Sequence, residues 1–300
     1  MAIWRVHLRP DSDDIDPVEV CIRQEVVGIG WRVSTRPADL DDYWSLGEKE
    51  YGNTGWSRAA NAIGWRMATD DLVWVRDFFG AYYLGRISGD WEYRDAPENL
   101  KADIVNVRPC KLHRVGTSIA GKIINCFRPS ATVQEIHDET AELFSLSVFN
   151  RLTNANLPLP SPPSIDIFSL LSDVDLEDVI GLYLQREKGL LFVPSSRSRQ
   201  NTTLSHEYQL VDPKTGLPTY AQVKSGNVTL DPRDYYKFPH EFYLFCPAGY
   251  VCPSTQRHVI CLDCGEIETF LNTNRSFLPL NVVAWQNLRE ALKVNRKNPG

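Results

Sequence analysis

Glu207-Tyr-Gln-Leu-Val-Asp212 and Tyr220-Ala-Gln-Val-Lys-Ser-Gly226 read as two strands of one hairpin, with Asp212-Pro-Lys-Thr-Gly216 as its turn. Alternation puts Gln222 and Lys224 on the same side of the second strand. A lysine between apolar neighbours at a strand end is costly to place unless it has a task. Glu207 opens the neighbouring strand, and an acid beside a lysine points to phosphodiester chemistry. There a divalent cation offsets developing negative charge, and a lysine orients the attacking water. Asp212 competes with Glu207 for the acidic role. It precedes Pro213 in the turn, so it is expected to point away.

Upstream, Asp175-Leu-Glu-Asp-Val-Ile-Gly-Leu-Tyr-Leu-Gln-Arg-Glu187 carries Leu176, Val179, Ile180, Tyr183 and Leu184 at helical spacing. Asp175 is the expected cap and Gly189 the stop. Glu177, in the first turn, is positioned to approach the hairpin edge. A short strand at Leu190–Pro194, a polar loop running to Ser205, a strand at Glu241–Cys246 and a last helix near Leu280–Val294 complete this part. The order α-β-β-β-α-β-α predicts a mixed sheet with helices on its faces.

These residues resemble the PD-(D/E)XK nuclease superfamily, and within it the Mrr-like branch, where glutamine opens the E-x-K triplet. The resemblance spans Asp175 to Tyr250. It implies a Mg²⁺-dependent endonuclease, with Mn²⁺ as a substitute. Glu207 would be the principal metal carboxylate, and Gln222 and the Val223 carbonyl neutral metal ligands. Lys224 would orient the water, and Glu177 would be the supporting helix acid. Two departures stand out: the second-strand acid is usually aspartate, and Gln222 brings less charge than glutamate.

Leu157-Pro-Leu-Pro-Ser-Pro-Pro-Ser164 holds four prolines in eight residues and reads as a semi-rigid linker. It divides the chain into a domain over 1–156 and another over 165–300, an α+β arrangement of two domains. Before the linker, Ile3–Leu8, Val26–Val33, Leu72–Arg76, Tyr82–Ile87 and Asp103–Arg108 read as short strands. Trp56 to Arg66 reads as a helix opened by Gly52-Asn-Thr-Gly55. A curled sheet or small barrel with helices is predicted.

Seven of the eight tryptophans precede the linker. Tryptophan usually fills cores, but this bias also suits a pocket that sandwiches an extruded base. Trp56-Ser-Arg-Ala-Ala-Asn61, Met67-Ala-Thr-Asp-Asp-Leu-Val-Trp74-Val-Arg76 and Tyr83-Leu-Gly-Arg-Ile87 resemble the EVE domain of the PUA-like group. That family binds modified bases in an aromatic cage and occurs fused to nucleases in modification-dependent restriction systems. The resemblance implies pocket roles for Trp56, Ser57, Asn61, Trp74 and Arg76; aromatic density adds Trp31 and Trp91. Asp70-Asp71 stands where Gly-Asp is usual.

The net charge is −6, with 18 Lys+Arg against 23 Asp+Glu in residues 1–160. This argues against nonspecific coating of nucleic acid. Ile104 to Gln134, with Arg108, Lys111, Arg114, Lys122 and Arg128, and Lys188 to His206, with Lys188, Arg197 and Arg199, contain no acid. Either can track phosphates or form a solvated face.

No apolar run is long enough to span a bilayer, and Met-Ala-Ile-Trp-Arg-Val-His is not a secretory pattern. Seven cysteines favour reduced thiols and a cytoplasmic setting. Cys261-Leu-Asp-Cys264, with Cys246 and Cys252 upstream, is spaced too tightly for most zinc ribbons, so free thiols are expected rather than Zn²⁺. The expected partner is DNA with a modified base, engaged by a homodimer; a non-catalytic sensor is the rival reading, and RNA a third target.

Overall fold

Two hydrophobic rhythms, one on each side of the proline segment, build two units in the computed structural model. They are Met1–Pro162 and Pro163–Gly300. The structure describes residues 1–8, 15–52, 54–160, 166–197 and 206–297. The end of the proline segment, Asn53 of the predicted turn, and the polar loop from 198 to 205 with Arg199 lie outside them.

The first unit holds β1 (Ile3–Val6), α1 (Pro17–Gln24), β2 (Val26–Ile29), α2 (Leu40–Tyr51), α3 (Gly55–Asn61), β3 (Leu72–Arg76), β4 (Tyr82–Ile87), β5 (Glu92–Tyr93), α4 (Pro97–Ala102), β6 (Asn106–Gly116), α5 (Gly121–Cys126), β7 (Val133–Glu135) and α6 (Glu139–Thr153). The sheet runs β2-β6-β4-β3-β1-β7, with β5 pairing β6. It is mixed because β1 and β3 are parallel, and it curls into a half-barrel. Two of the predicted strands, β3 and β4, have the expected bounds. The predicted helix through Arg66 is α3 continued by a π-helical turn, Ala62–Arg66.

Alternation along β3 sorts its side chains. Val73 and Val75 join Trp4, Val6, Ile29 and Ile63 in the core of the curl. Trp74 faces the other way, beneath α6, where its ring stacks on Phe144 at 6.3 Å. Asp71, 4 % exposed, ties the strand ends together. Its carboxylate accepts from the Ala2 N–H at 2.6 Å, the Trp4 Nε1–H at 2.8 Å and the Ala68 N–H at 2.9 Å. Asp70 beside it has φ +76°, the left-handed region glycine favours. An ion pair to Arg86 at 3.0 Å accompanies that conformation.

The second unit holds α7 (Ile167–Leu170), α8 (Asp173–Glu187), β8 (Leu191–Phe192), β9 (Tyr208–Val211), β10 (Pro218–Val223), β11 (Glu241–Phe245), β12 (Val259–Cys261), α9 (Cys264–Thr273) and α10 (Leu280–Lys297). Its sheet order is β12-β11-β10-β9-β8. The β9–β10 hairpin is antiparallel, whereas β10, β11 and β12 are parallel. No α-helix sits between β10 and β11, contrary to the expected order. The crossover passes through a single 3₁₀ turn, Pro232–Tyr235. Ser172, not Asp175, is the N-cap of α8. Asp175 closes a capping box from the third helical position, its carboxylate accepting from the Ser172 N–H at 3.0 Å. Burial pushes the Asp175 carboxyl above its ordinary value against these hydrogen bonds.

The two faces of this sheet are covered differently, and that sets the position of the site. Gly181 of α8 lies over Tyr208, where a Cβ would meet the Tyr208 Oη at 3.6 Å. Phe168 of α7 packs on Phe245 at 5.5 Å. The opposite face carries Tyr220, Phe242 and Leu244 and is covered by Leu230, Tyr235 and Phe238 of the crossover.

Candidate functional site

Three polar side chains meet on the crossover face of the β9–β10 hairpin. Gln222 Nε2 donates to Glu207 Oε1 at 2.6 Å. Lys224 Nζ donates to the same oxygen at 3.3 Å. Glu207 lies just before β9, and its N–H donates to the Ala221 carbonyl at 2.9 Å, so the ladder fixes the carboxylate against β10. Gln222 is 5 % exposed, yet its amide has a charged partner, as a buried polar group requires. The Lys224 N–H donates to the Phe245 carbonyl at 3.0 Å, which keeps Lys224 in the strand alternation. Gly226, with φ +68°, lets the chain turn away two residues later.

The Val223 side chain is buried on the helix-covered face, but its carbonyl lies 3.4 Å from Gln222 Nε2, at the edge of the cluster. Asp212 lies at the far end of β9. Its carboxylate caps the turn, accepting from the Lys214 N–H and the Thr215 hydroxyl, each at 2.9 Å. The Lys214 amide, then Thr215, hold that carboxyl below its ordinary value. Turn geometry thus accounts for Asp212, and Glu207 is the acid at the cluster.

Glu177 is elsewhere. Its backbone carbonyl accepts from the Tyr208 hydroxyl at 3.3 Å, on the face that α8 covers. It lines a cavity of about 300 Å³ with Gly181, Phe192 and Tyr208, and none of the three clustered residues lines it. A helix acid was expected to join the site. The reason it does not is that α8 packs across the sheet from Glu207 and Gln222.

Two residues at the site went unread in the sequence. His206 precedes Glu207, and its ring lies 4.6 Å from Tyr220. Burial pulls its imidazole below the ordinary value, and the Glu207 charge pushes it back. Tyr235 closes the face from the 3₁₀ turn. Its phenol is pushed up to about 12 by burial, then by Asp234 and Glu207. Pro232 at the start of that turn was the available signal.

In the first unit the expected base pocket is only partly assembled. Trp56, Ser57 and Asn61 line one groove of about 500 Å³ with Trp44, Glu48 and Arg58. Trp56 is 1 % exposed and donates from Nε1 to the Tyr43 hydroxyl at 3.0 Å, so it forms the floor of the groove. Gly47 permits this packing, since a Cβ there would meet the Trp56 ring at 2.1 Å. Ser57 donates to the Thr54 carbonyl at 3.1 Å. Trp44 lies 4.8 Å from Trp56 and 5.0 Å from the exposed Trp65. Helical spacing of Tyr43, Gly47 and Tyr51 was the overlooked sign that 40–51 folds over Trp56.

Trp31 and Trp91 pack on the same aromatic cluster as Trp56 and Tyr43 but line other cavities, whereas Trp74 and Arg76 lie apart. Trp74 is fully buried and donates from Nε1 to the Ser145 hydroxyl at 2.9 Å. Arg76, on the same side of β3, is exposed over the Tyr82 ring at 5.9 Å. Strand alternation carries both away from the groove at Trp56. Trp91 lines a groove of about 660 Å³ with Tyr93, Arg36 and Arg108. Trp31, with φ +64°, lines a cavity of about 150 Å³ with His7 and Asp103. Arg108 is 4 % exposed and spends its guanidinium on the Gly89, Ile63 and Met67 carbonyls, so it is not part of a phosphate track.

Among the described residues, no three His, Cys, Asp or Glu side chains are arranged to hold a metal ion. No helix among them is long and apolar enough to cross a membrane. Comparison with protein-family models, curated proteins and solved structures gives no match.

Proposed function

We propose that this chain is a Mg²⁺-dependent endonuclease that cleaves DNA carrying a modified base, as in restriction of foreign DNA. Its two units would be PD-(D/E)XK-like and EVE-like. The observation that carries the reading is the convergence of Gln222 and Lys224 on one oxygen of Glu207. An acid and a lysine brought together by a hairpin, with the lysine half-exposed, are what hydrolysis of a phosphodiester asks of a protein.

The donors suit a hard cation. Glu207 offers one carboxylate, Gln222 an amide oxygen and Val223 a carbonyl, and Mg²⁺ commonly combines one or two carboxylates with waters. An all-oxygen set suits Mg²⁺ or Mn²⁺ and not Zn²⁺. Bound there, the ion would neutralise charge on the phosphate. Gln222 now presents its nitrogen to Glu207, so ligation by its oxygen requires the amide to turn over. Lys224 orients a water toward phosphorus and stabilises charge on the phosphoryl oxygens. Tyr235 and Phe238 limit water access from the crossover side. The groove floored by Trp56 supports base reading in the first unit, with Ser57 and Asn61 at its rim. A homodimer would bring two such sites to the two strands.

A second reading follows from the position of Glu177. With one carboxylate in place of two, the same fold serves a sensor that binds modified nucleic acid without cutting it. A panel of unmodified and modified duplexes, incubated with Mg²⁺ and with the chain or its Lys224→Ala variant, decides between them. Cleavage of a modified duplex by the wild type alone supports the nuclease. Binding without cleavage by both supports the sensor, and cleavage unchanged by Lys224→Ala removes the assigned site.

A further inference from the structure

Phe79 is 88 % exposed and Phe78 47 %, at the tip of the β3–β4 hairpin. An aromatic pair so placed contributes little to the core, yet the turn that holds it is closely built. The Asp77 N–H donates to the Ala81 carbonyl at 3.0 Å, and the Gly80 N–H to the Asp77 carbonyl at 3.2 Å. Gly80 has φ +83°, which a side chain rarely tolerates. The Asp77 carboxylate accepts from the Ala81 N–H at 2.7 Å and the Tyr83 hydroxyl at 3.2 Å. Asp16, the N-cap of α1, accepts from the Val18 N–H at 2.9 Å. The tip is therefore held by the hydrogen bonds of its own turn, and the Asp77 carboxylate faces inward onto them.

Two exposed arginines border the hairpin among the described residues. Arg76 ends β3 with its guanidinium over the Tyr82 ring. Arg114 stands opposite Tyr83 on β6 and approaches the Tyr83 hydroxyl. Both side chains are exposed. Exposed aromatics on a stiff support, flanked by arginines, match a duplex: phosphates for the cations and a base step for the ring. Apolar side chains are used in this way, entering between base pairs and unstacking them. An extruded base also leaves a vacancy that something must fill.

We propose that Phe79 is a wedge that enters a DNA duplex from the β3–β4 hairpin, with Arg76 and Arg114 seated on the adjoining phosphates. This rests on reading the first unit as one that inspects an extruded base. It assigns the duplex-opening step to a residue remote in sequence from the groove at Trp56.

The test compares the full-length chain with its Phe79→Ala and Phe79→Trp variants, in EDTA so that no strand is cut. Anisotropy of a labelled duplex and of the matching single strand gives affinity. A fluorescent adenine analogue in the duplex reports unstacking. Because Phe79 is exposed, all three proteins should melt together. Phe79→Ala should lose about tenfold in duplex affinity, the scale of one aromatic–base contact. It should also lose the unstacking signal, bind the single strand as the wild type does, and be rescued by Phe79→Trp. Wild-type duplex binding and unstacking by Phe79→Ala would overturn the wedge while leaving the base-reading groove intact. Self-association of the wild type that Phe79→Ala abolishes, with duplex binding unchanged, would make the tip a protein contact. Failure of the wild type to bind any nucleic acid would remove the underlying reading and the wedge with it.

Discussion

Gln222 and Lys224 donate to the same oxygen of Glu207, at 2.6 Å and 3.3 Å. Gln222 of β10 and Lys224 just past its end thus share a single acceptor, and among the described residues Glu207 is the only carboxylate to which either hydrogen-bonds. The geometry makes the three side chains a unit, so their substitutions should not act additively.

Lys224→Ala should lower single-turnover cleavage of a duplex substrate by about 10²–10³-fold, the usual cost of one electrostatic donor in a phosphoryl or acyl transfer site. Glu207→Gln should do at least as much. The double variant should be little worse than either single variant. Full additivity of the two losses would mean that the residues serve separate tasks.

Gln222→Glu would set a second carboxylate against Glu207. Without metal, the like charges at this distance should raise one carboxyl and cost about 1–2 kcal/mol, lowering Tm by roughly 3–8 °C. Mg²⁺ should then raise Tm by more in the variant than in the wild type, because the ion relieves the repulsion. This readout needs no catalysis. A variant whose Tm ignores Mg²⁺ would indicate that no ion binds at Glu207.

Much of this site is legible in the chain because it depends on local rules. The Asp-Pro-Lys-Thr-Gly turn sets the hairpin, and a two-residue period then places Gln222 and Lys224 on one face. Asp212 is recognisable as a turn residue for the same reason. Glu177 could not be placed that way, since which face of a sheet a helix covers depends on packing between elements distant in sequence. Trp74 and Trp56 pose a similar problem. Both are tryptophans in motif positions, but β3 aims one beneath α6, and Gly47 admits the other under α2. The caps show the limit at finer scale, where Asp175 reads as a helix start although Ser172, three residues earlier, begins the helix.

Trp56→Ala should destabilise the first unit by about 3–5 kcal/mol, because a buried indole and its hydrogen bond to Tyr43 are both lost. Trp65→Ala, at an exposed position, should change stability by no more than about 0.5 kcal/mol. Trp65, which packs edge-on beside Trp44 of the groove, can therefore be varied without unfolding the unit, whereas Trp56 cannot. Denaturant titration of both variants, beside their affinities for a modified oligonucleotide, checks the assignment. A stable Trp56→Ala protein would mean that the indole is not the floor of the groove.

Asp138 supplies a pH dependence whose sign can be worked out. It is the N-cap of α6, accepting from the Ala141 N–H at 2.8 Å, with Lys122 Nζ at 3.3 Å. Burial alone would raise its carboxyl, but Thr140, Ala141 and Lys122 together outweigh burial and hold it below the ordinary value of 3.8. A depressed folded-state value means that the unfolded chain binds a proton first as pH falls. The stabilisation is therefore complete above the unfolded-state value and fades as pH drops through the folded one. Asp138→Ala should cost about 1–2 kcal/mol near neutrality. The gap between variant and wild type should narrow below about pH 4, as protons remove the charge that the wild type relies on. Thermal melts from pH 7 down to pH 3 follow that gap. A gap that stays constant over the range would assign the loss to helix capping by a neutral group and leave Lys122 without a part in it.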